Sequence, residues 1–268
     1  MRRVLLVLCA VLLQVLAATA APLPSVFLED LTWTELRDAI KTGVTTIIIP
    51  SGGTEQNGPL MALGKHNVRV KALAGKIATA LGNALVAPVI AYVPEGAITP
   101  PTAHMRFPGT ITVTDQTFEQ VLESAARSFK LHGFTDIVLI GDHGSYQADL
   151  TVVANKLNRE WAQTPVKVHA IRQYYRSSQA DYAAALLGHG IKNSEIGTHA
   201  GLADTSLMLA VDPRLVRTDH LASGSDLGSA DGVYGGDPSR SSAELGQLGV
   251  ERIVSETVDA IRKATTRH

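Results

Sequence analysis

The stretch "SGGTEQNGPLMALGKHN", residues 51–67, places a carboxylate, Glu55, just past an aliphatic run and an imidazole, His66, eleven positions later. Three further polar islands follow: His104 in "TAHMRFPGT", His143 in "IGDHGSYQ", and His199 with Asp204 in "GTHAGLADTS". Imidazole nitrogen and carboxylate oxygen are the usual donors to a hydrolytic Zn²⁺ or a related ion. Thiolate donors are excluded beyond the first residues, because the one cysteine is Cys9. Other chemistries lack their motifs. No G-x-S-x-G elbow marks a serine hydrolase. Neither G-x-x-x-x-G-K-[ST] nor G-x-G-x-x-G follows a strand, so nucleotide binding has no support. The residues themselves leave two readings open, an ordinary set of polar loops and a metal clamp.

The elements that must position these groups can be read from periodicity. "VTTIIIP" and "TDIVLIGDHG" are continuous, β-branched apolar runs, as in parallel strands covered on both faces. "ALVAPVIAYVP", a short run at residues 110–113, and "VKVHAIRQYY" are further strand candidates. Helical patterns lie between them: "EDLTWTELRDAIKTG" with Thr32 or Thr34 as cap, "NVRVKALAGKIATALG", "QTFEQVLESAARSFKLHG" capped by Asp115, "QADLTVVANKLNREW", "SQADYAAALLGHG" and the closing "AELGQLGVERIVSETVDAIRKATT". Alternation of this kind predicts an α/β fold with a mainly parallel sheet. In such folds the polar site lies outside the carboxyl ends of the strands, where Glu55 and His143 both fall. The Gly-, Ser- and Asp-rich stretch 219–242 is long enough for a functional loop.

The 268 residues suffice for one large core, and a formal net charge of −1 gives no electrostatic footprint for nucleic acid. Residues 1–20 read as a secretory signal peptide: two arginines, an apolar run from Val4 to Leu16, and an A-x-A site at Ala18–Ala20. That run is too short to span a bilayer, so no stable membrane insertion is expected after cleavage. The expectation is a periplasmic or secreted protein with a single domain over residues 21–268.

In this register the islands resemble the creatininase, or creatinine amidohydrolase, family. Its opening motif, E-Q-H-G-P-H-L-P-L-G-T-D, is similar to "EQNGPLMALGKH"; its N-G-H-G-G-N to "GDHGSY"; and its H-A-G-x-x-E-T-S-L-M-L to "HAGLADTSLML". "FPGTITV" and "GVYGGDPSRSSAELG" are also family-like. The resemblance implies a three-layer α/β/α fold, assembly into homo-oligomers such as hexamers, and metal-activated hydrolysis of a C–N bond in a small or cyclic amide. By register, one metal set falls on Glu55, His66 and His143, and a second on Asn57, His66 and Asp204. His199 matches the family's catalytic histidine.

The departures shape the expectation. Asn57 is a poor ligand, and the imidazole of His66 cannot bridge two ions as a carboxylate can. The first set remains a His₂Glu arrangement, a standard hydrolytic zinc site with a position left for water. One divalent ion per chain is therefore expected, zinc or else manganese, with Asp204 as a fourth ligand or a catalytic assistant. Ser145 stands where some members carry a base, which leaves His199 as proton shuttle, its unperturbed pKa of about 6.5 suiting the task. His104, Asn57, Ser145, Tyr174 and Tyr175 are expected to contact substrate. Trp33 and Trp161 fall on helical segments elsewhere, so creatinine itself is not favoured over other small amides. Two alternatives remain: hydrolysis of a lactone or short peptide at the same metal, and a non-catalytic binding protein.

Overall fold

Burial on both faces is what the two β-branched runs require, and each becomes a fully buried strand. The computed structural model describes residues 23–266. β1 (Thr46–Ser51), β2 (Ala84–Val86), β3 (Asp136–Gly141) and β4 (Lys167–Ala170) form one parallel sheet in the order β2-β1-β3-β4. Alternate side chains divide the core. Ile48, Val138 and Ile140 pack towards α2 (Lys65–Leu81) and α9 (Ala243–Thr265). Ile47, Ile49, Ile137 and Leu139 pack towards α3 (Asp115–His132) and α4 (Gln147–Glu160). The result is the three-layer α/β/α arrangement with a parallel sheet expected from the sequence. The leader falls outside the described residues, and among those described no helix is long and apolar enough to cross a membrane.

Strand order places the site. β1 and β3 are neighbours in parallel register, with Ser51 opposite Gly141, so the chain leaves both strands at the same edge. The connection from β1 runs to β2 on one side, whereas β3 lies on the other. That is a switch point, where a crevice opens outside the strand ends. Of the remaining helices, α1 (Trp33–Lys41) leads into β1 at the opposite edge, and α5 (Gln173–Arg176), α6 (Tyr182–Gly188), α7 (Asn193–Ile196) and α8 (Leu202–Val211) follow β4. α9 packs hard on α8 because Gly246 has no side chain; a Cβ there would lie 1.9 Å from the Ser206 carbonyl oxygen.

Some expected elements differ. β2 stops at Val86 because Pro88 has no N–H to continue a ladder, although Ser51 still bridges Ile90. Residues 110–113 form no strand: the Ile111 N–H donates to Thr54 and that of Val113 to Val93, tying loop to loop. "VKVHAIRQYY" splits into β4 and the short helix α5. Thr114, not Asp115, caps α3, its hydroxyl accepting from the Thr117 N–H. The stretch 218–240 holds three 3₁₀ segments, Thr218–Asp226, Ser229–Asp231 and Pro238–Arg240.

Candidate metal centre

Glu55 lies four residues past β1 and is wholly buried. His143 lies two residues past β3. His66 is not on the turn-rich loop, as the spacing of glycine and proline suggested; α2 begins at Lys65, so His66 belongs to its first turn. Helical periodicity then puts Arg69 on the same face as Lys65. Glu55 joins the imidazoles: its Oε1 lies 2.7 Å from His66 Nε2, and its Oε2 3.3 Å from His143 Nε2. One donor atom from each of the three residues lies within 4.8 Å of the others. Glu55, His104 and His199 form a second such triad, sharing the carboxylate. His104 was expected only to line the pocket; its Nε2 stands 3.2 Å from Glu55 Oε2.

A buried ionic frame holds the first triad. His66 Nδ1 donates to Asp142 Oδ2 at 2.5 Å, which turns Nε2 towards Glu55. Asp142 in turn accepts from Arg69 Nε at 2.9 Å and from the Tyr174 hydroxyl at 2.7 Å. Arg69 also donates through NH1 to Asp204 Oδ1 at 2.6 Å, and Lys65 Nζ contacts Asp204 Oδ2. These contacts correct three expectations. Asp204 is outside both triads, because both its oxygens are engaged by cations and by the Ala200 N–H at 3.0 Å. Tyr174 is fully buried and braces Asp142 instead of meeting substrate. Asn57 turns inward, its amide donating to the Glu55 and Ala62 carbonyls at 2.9 and 3.0 Å, and so stiffens its own loop.

Proton positions follow from the partners. The Ser145 hydroxyl donates to the Pro94 carbonyl at 2.6 Å, so it accepts from His143 Nδ1 at 2.8 Å. His143 Nε2 is then bare and faces Glu55 Oε2. His199 Nε2 donates to the Gln56 carbonyl at 2.9 Å, leaving Nδ1 bare 3.5 Å from Glu55 Oε1. Two acceptors facing each other in a buried place are repulsive unless a cation lies between them. Ala200 adopts φ +56°, a left-handed conformation costly for a residue with a Cβ, and the turn it makes sets His199 against the cavity. The cavity is about 260 Å³; Tyr175, His104, Ser145, His199 and Tyr234 line it, and no tryptophan does among the described residues.

Two groups that sequence reasoning missed have perturbed proton affinity or position. Glu95 lies in a loop with no motif to flag it, and neither of its buried carboxyl oxygens has a hydrogen-bond partner. Burial, with the adjacent Glu55 charge, pushes it up to about 9. Gly53, at φ +146°, gives it room, since a Cβ there would lie 2.6 Å from Glu95 Oε1. Lys65, directly before His66, is the other; a lysine opening a helix toward the core was the one available signal. Burial lowers His143 to about 3. His199 falls to about 3 through burial and the Lys65 charge, so it is not poised near 6.5 as expected. For Asp204, burial alone would raise the carboxyl, but Lys65 and Arg69 hold it well below the usual range.

These shifts predict how the metal-free chain responds to pH. His143 and His199 accept protons near 6.5 when unfolded and near 3 when folded. Between those values the unfolded chain binds more protons, so stability falls as pH drops below about 6.5. Glu95 works the other way: about 9 folded against 4.5 unfolded, so stability falls as pH rises towards 9. Two groups oppose one below 6.5, and Glu95 acts without them above it. Chemical denaturation in chelator should therefore show a maximum between about pH 6 and 7, with an alkaline loss approaching ~1.4 kcal/mol per pH unit. Glu95→Gln should abolish the alkaline loss; its persistence would show that Glu95 is ionised in the folded chain.

The donor set fits a divalent ion. Glu55 Oε2 is buried with no hydrogen-bond partner, and it faces the bare nitrogen of His143 at 3.3 Å. That separation is about the edge of a tetrahedron with ~2.0 Å metal–ligand bonds, whereas the 2.7 Å Glu55–His66 pair would open by roughly half an ångström. A family profile described as creatinine amidohydrolase matches residues 29–261. The chain belongs to the creatininase family. It is 26% identical to a creatinine amidohydrolase of Pseudomonas putida, over 89% of this chain and 97% of that one. A mycofactocin precursor peptide peptidase of Mycolicibacterium smegmatis is 25% identical, over 82% and 85%. A structure described as a manganese creatininase superposes with a TM-score of 0.74 at 25% identity, covering 90% of this chain and 99% of that one. A zinc–zinc creatininase variant gives 0.70 at 25% identity, over 90% and 98%. This creatininase-family hydrolase thus has two candidate divalent-metal triads that share Glu55.

Proposed function

We propose that this chain hydrolyses a C–N bond in a small or cyclic amide, using a divalent ion held by Glu55, His66 and His143. The observation that carries the reading is the buried Glu55 Oε2, which lacks a hydrogen bond and faces an unprotonated imidazole nitrogen. When bound, a zinc or manganese ion supplies a Lewis acid and an activated water. The protein does the rest. Asp142 and Ser145 fix the tautomers of His66 and His143, the outer partners that orient metal-ligating histidines. His199 presents a bare Nδ1 to the cavity. With its proton affinity lowered the ring is neutral at rest, so a proton that reaches Nδ1 is readily passed on to a leaving nitrogen. Tyr175 and Tyr234 wall the space where a small ring would lie. The leader-like residues 1–20 support placing the activity outside the cytoplasm.

A short peptide is the second reading, and one feature favours it. The site cavity shares Gln179, Thr198 and Asp204 with a neighbouring cavity of about 470 Å³, which gives a longer substrate somewhere to extend. The M. smegmatis relative, named a peptidase, points the same way. A panel of cyclic amides and short peptides, assayed with and without chelator, decides. Cyclic amides should turn over at least about tenfold faster than peptides, chelator should abolish turnover, and His199→Ala should lower kcat by about 10²–10⁴. Faster peptide cleavage would select the second reading. The absence of any chelator-sensitive turnover would remove both.

A further inference from the structure

Lys65 has no part in the reaction just described, yet it lies wholly inside the site, its side chain 1% exposed. Its Nζ contacts Asp204 Oδ2 and stands 3.7 Å from Glu55 Oε1. The same oxygen lies 3.5 Å from the bare Nδ1 of His199, a member of the second triad. An ion held between Glu55 Oε1 and His199 would lie within about 6 Å of the ammonium, and like charges at that range repel even with protein-like screening, whereas an ion of the first triad can be held through Oε2, on the side of His143. No anion is left to offset it. Glu55 is the second triad's only carboxylate and is shared with the first, and Asp204 is already matched by Lys65 and Arg69.

A second lock lies on His104. The Gln56 side chain is oriented by its neighbours: its Oε1 accepts from the Gly58 N–H at 2.9 Å and its Nε2 donates to the Gly232 carbonyl at 3.2 Å. That Nε2 also lies 3.0 Å from His104 Nδ1, which must therefore accept. The neutral ring then carries its proton on Nε2, 3.2 Å from Glu55 Oε2 but not aligned to hydrogen-bond it. A nitrogen bearing a proton there is not a metal donor.

We propose that the Lys65 ammonium is a tethered cation standing in the place of a second metal ion, so that the chain holds one divalent ion at Glu55, His66 and His143. Gln56 supports this by keeping His104 in the wrong tautomer for coordination. The proposal rests on the reading of the first triad as a metal site.

Zinc per chain, measured by elemental analysis after equilibration with excess Zn²⁺ and gel filtration, tests it. The natural chain and Lys65→Arg should hold one ion. Lys65→Met should take up a second, with Asp204 freed to join Glu55 and His199, and Lys65→Met combined with Gln56→Glu should hold it more tightly. Circular dichroism checks folding of each variant. Because neutral variants at a buried site can fail to fold, anomalous scattering from crystals of the natural chain in excess Zn²⁺ gives an independent reading: one peak, at His66 and His143. Two ions in the natural chain, or a peak at His104 and His199, would overturn the proposal. So would one ion in both Met variants, an outcome that leaves the hydrolase reading standing. No ion in the natural chain would overturn the metal site and this proposal together.

Discussion

Glu55→Gln is expected to strip the bound metal and lower turnover by on the order of a thousandfold or more. The size follows from the position of the carboxylate. It is the one residue common to both donor triads, and it is completely buried. Losing even an outer partner of a metal ligand costs about 10–100-fold in affinity or activity, and Glu55 supplies the only charge among the donors of the first triad. Burial would raise its pKa, but the hydrogen-bonding contact with His66 and the Lys65 ammonium hold it well below the ordinary carboxylate range, so it is ionised at neutral pH. A glutamine keeps the shape and one acceptor while removing that charge. Elemental analysis together with kcat/KM makes the test. Retention of the metal, with turnover within about tenfold of the natural chain, would mean that another group anchors the ion.

The second large effect falls on stability. Arg69 is buried to 2% exposure and ties Asp142 to Asp204 through a single guanidinium. Arg69→Met should cost about 3–5 kcal/mol, because it leaves Asp142 buried without its cationic partner, while Asp204 keeps only Lys65. For a chain of this size that corresponds to a fall in Tm on the order of 10 °C. Adding Asp142→Asn should recover part of the loss, since it removes the stranded charge. Equal destabilisation by the single and double variants would show that the cost is packing around the aliphatic stem and not electrostatics. The same variant should weaken metal binding as well, because Asp142 would no longer be held against His66 Nδ1.

How much of the site could be read in advance depended on whether a signal was local. Glu55 and His143 follow strands whose β-branched runs are unmistakable, and parallel strands end at a common edge, so their meeting was legible. His199 announced itself within "HAGLADTS". Lys65, Arg69, Asp142 and Glu95 did not. A lysine and an arginine four residues apart on a helix ordinarily belong to a solvated face. Here α2 starts two residues earlier than its apolar periodicity suggested, and its first turn points into the crevice with both cations. Asp204 was misread for the same reason: its charge was visible, but its partners lie 139 and 135 residues away. Tyr174 looked like a pocket aromatic because nothing nearby in sequence says that its hydroxyl is taken by Asp142.

Sequence by itself determined the alternation of strand and helix, the positions at which polar loops leave the sheet, and the stock of imidazole and carboxylate donors. These are consequences of side-chain type and short-range periodicity, and they survive any detail of packing. The tertiary structure decided which donors are free. Each carboxylate and imidazole has two faces, and whether a metal can use one depends on what the other has bound. Asp204 is matched by Lys65 and Arg69, His104 is held by Gln56, and Glu55 is left with an oxygen that has no partner. Such pairings join residues far apart in the chain, and in a buried place with little water to substitute for a missing partner they are settled only when the core closes around them.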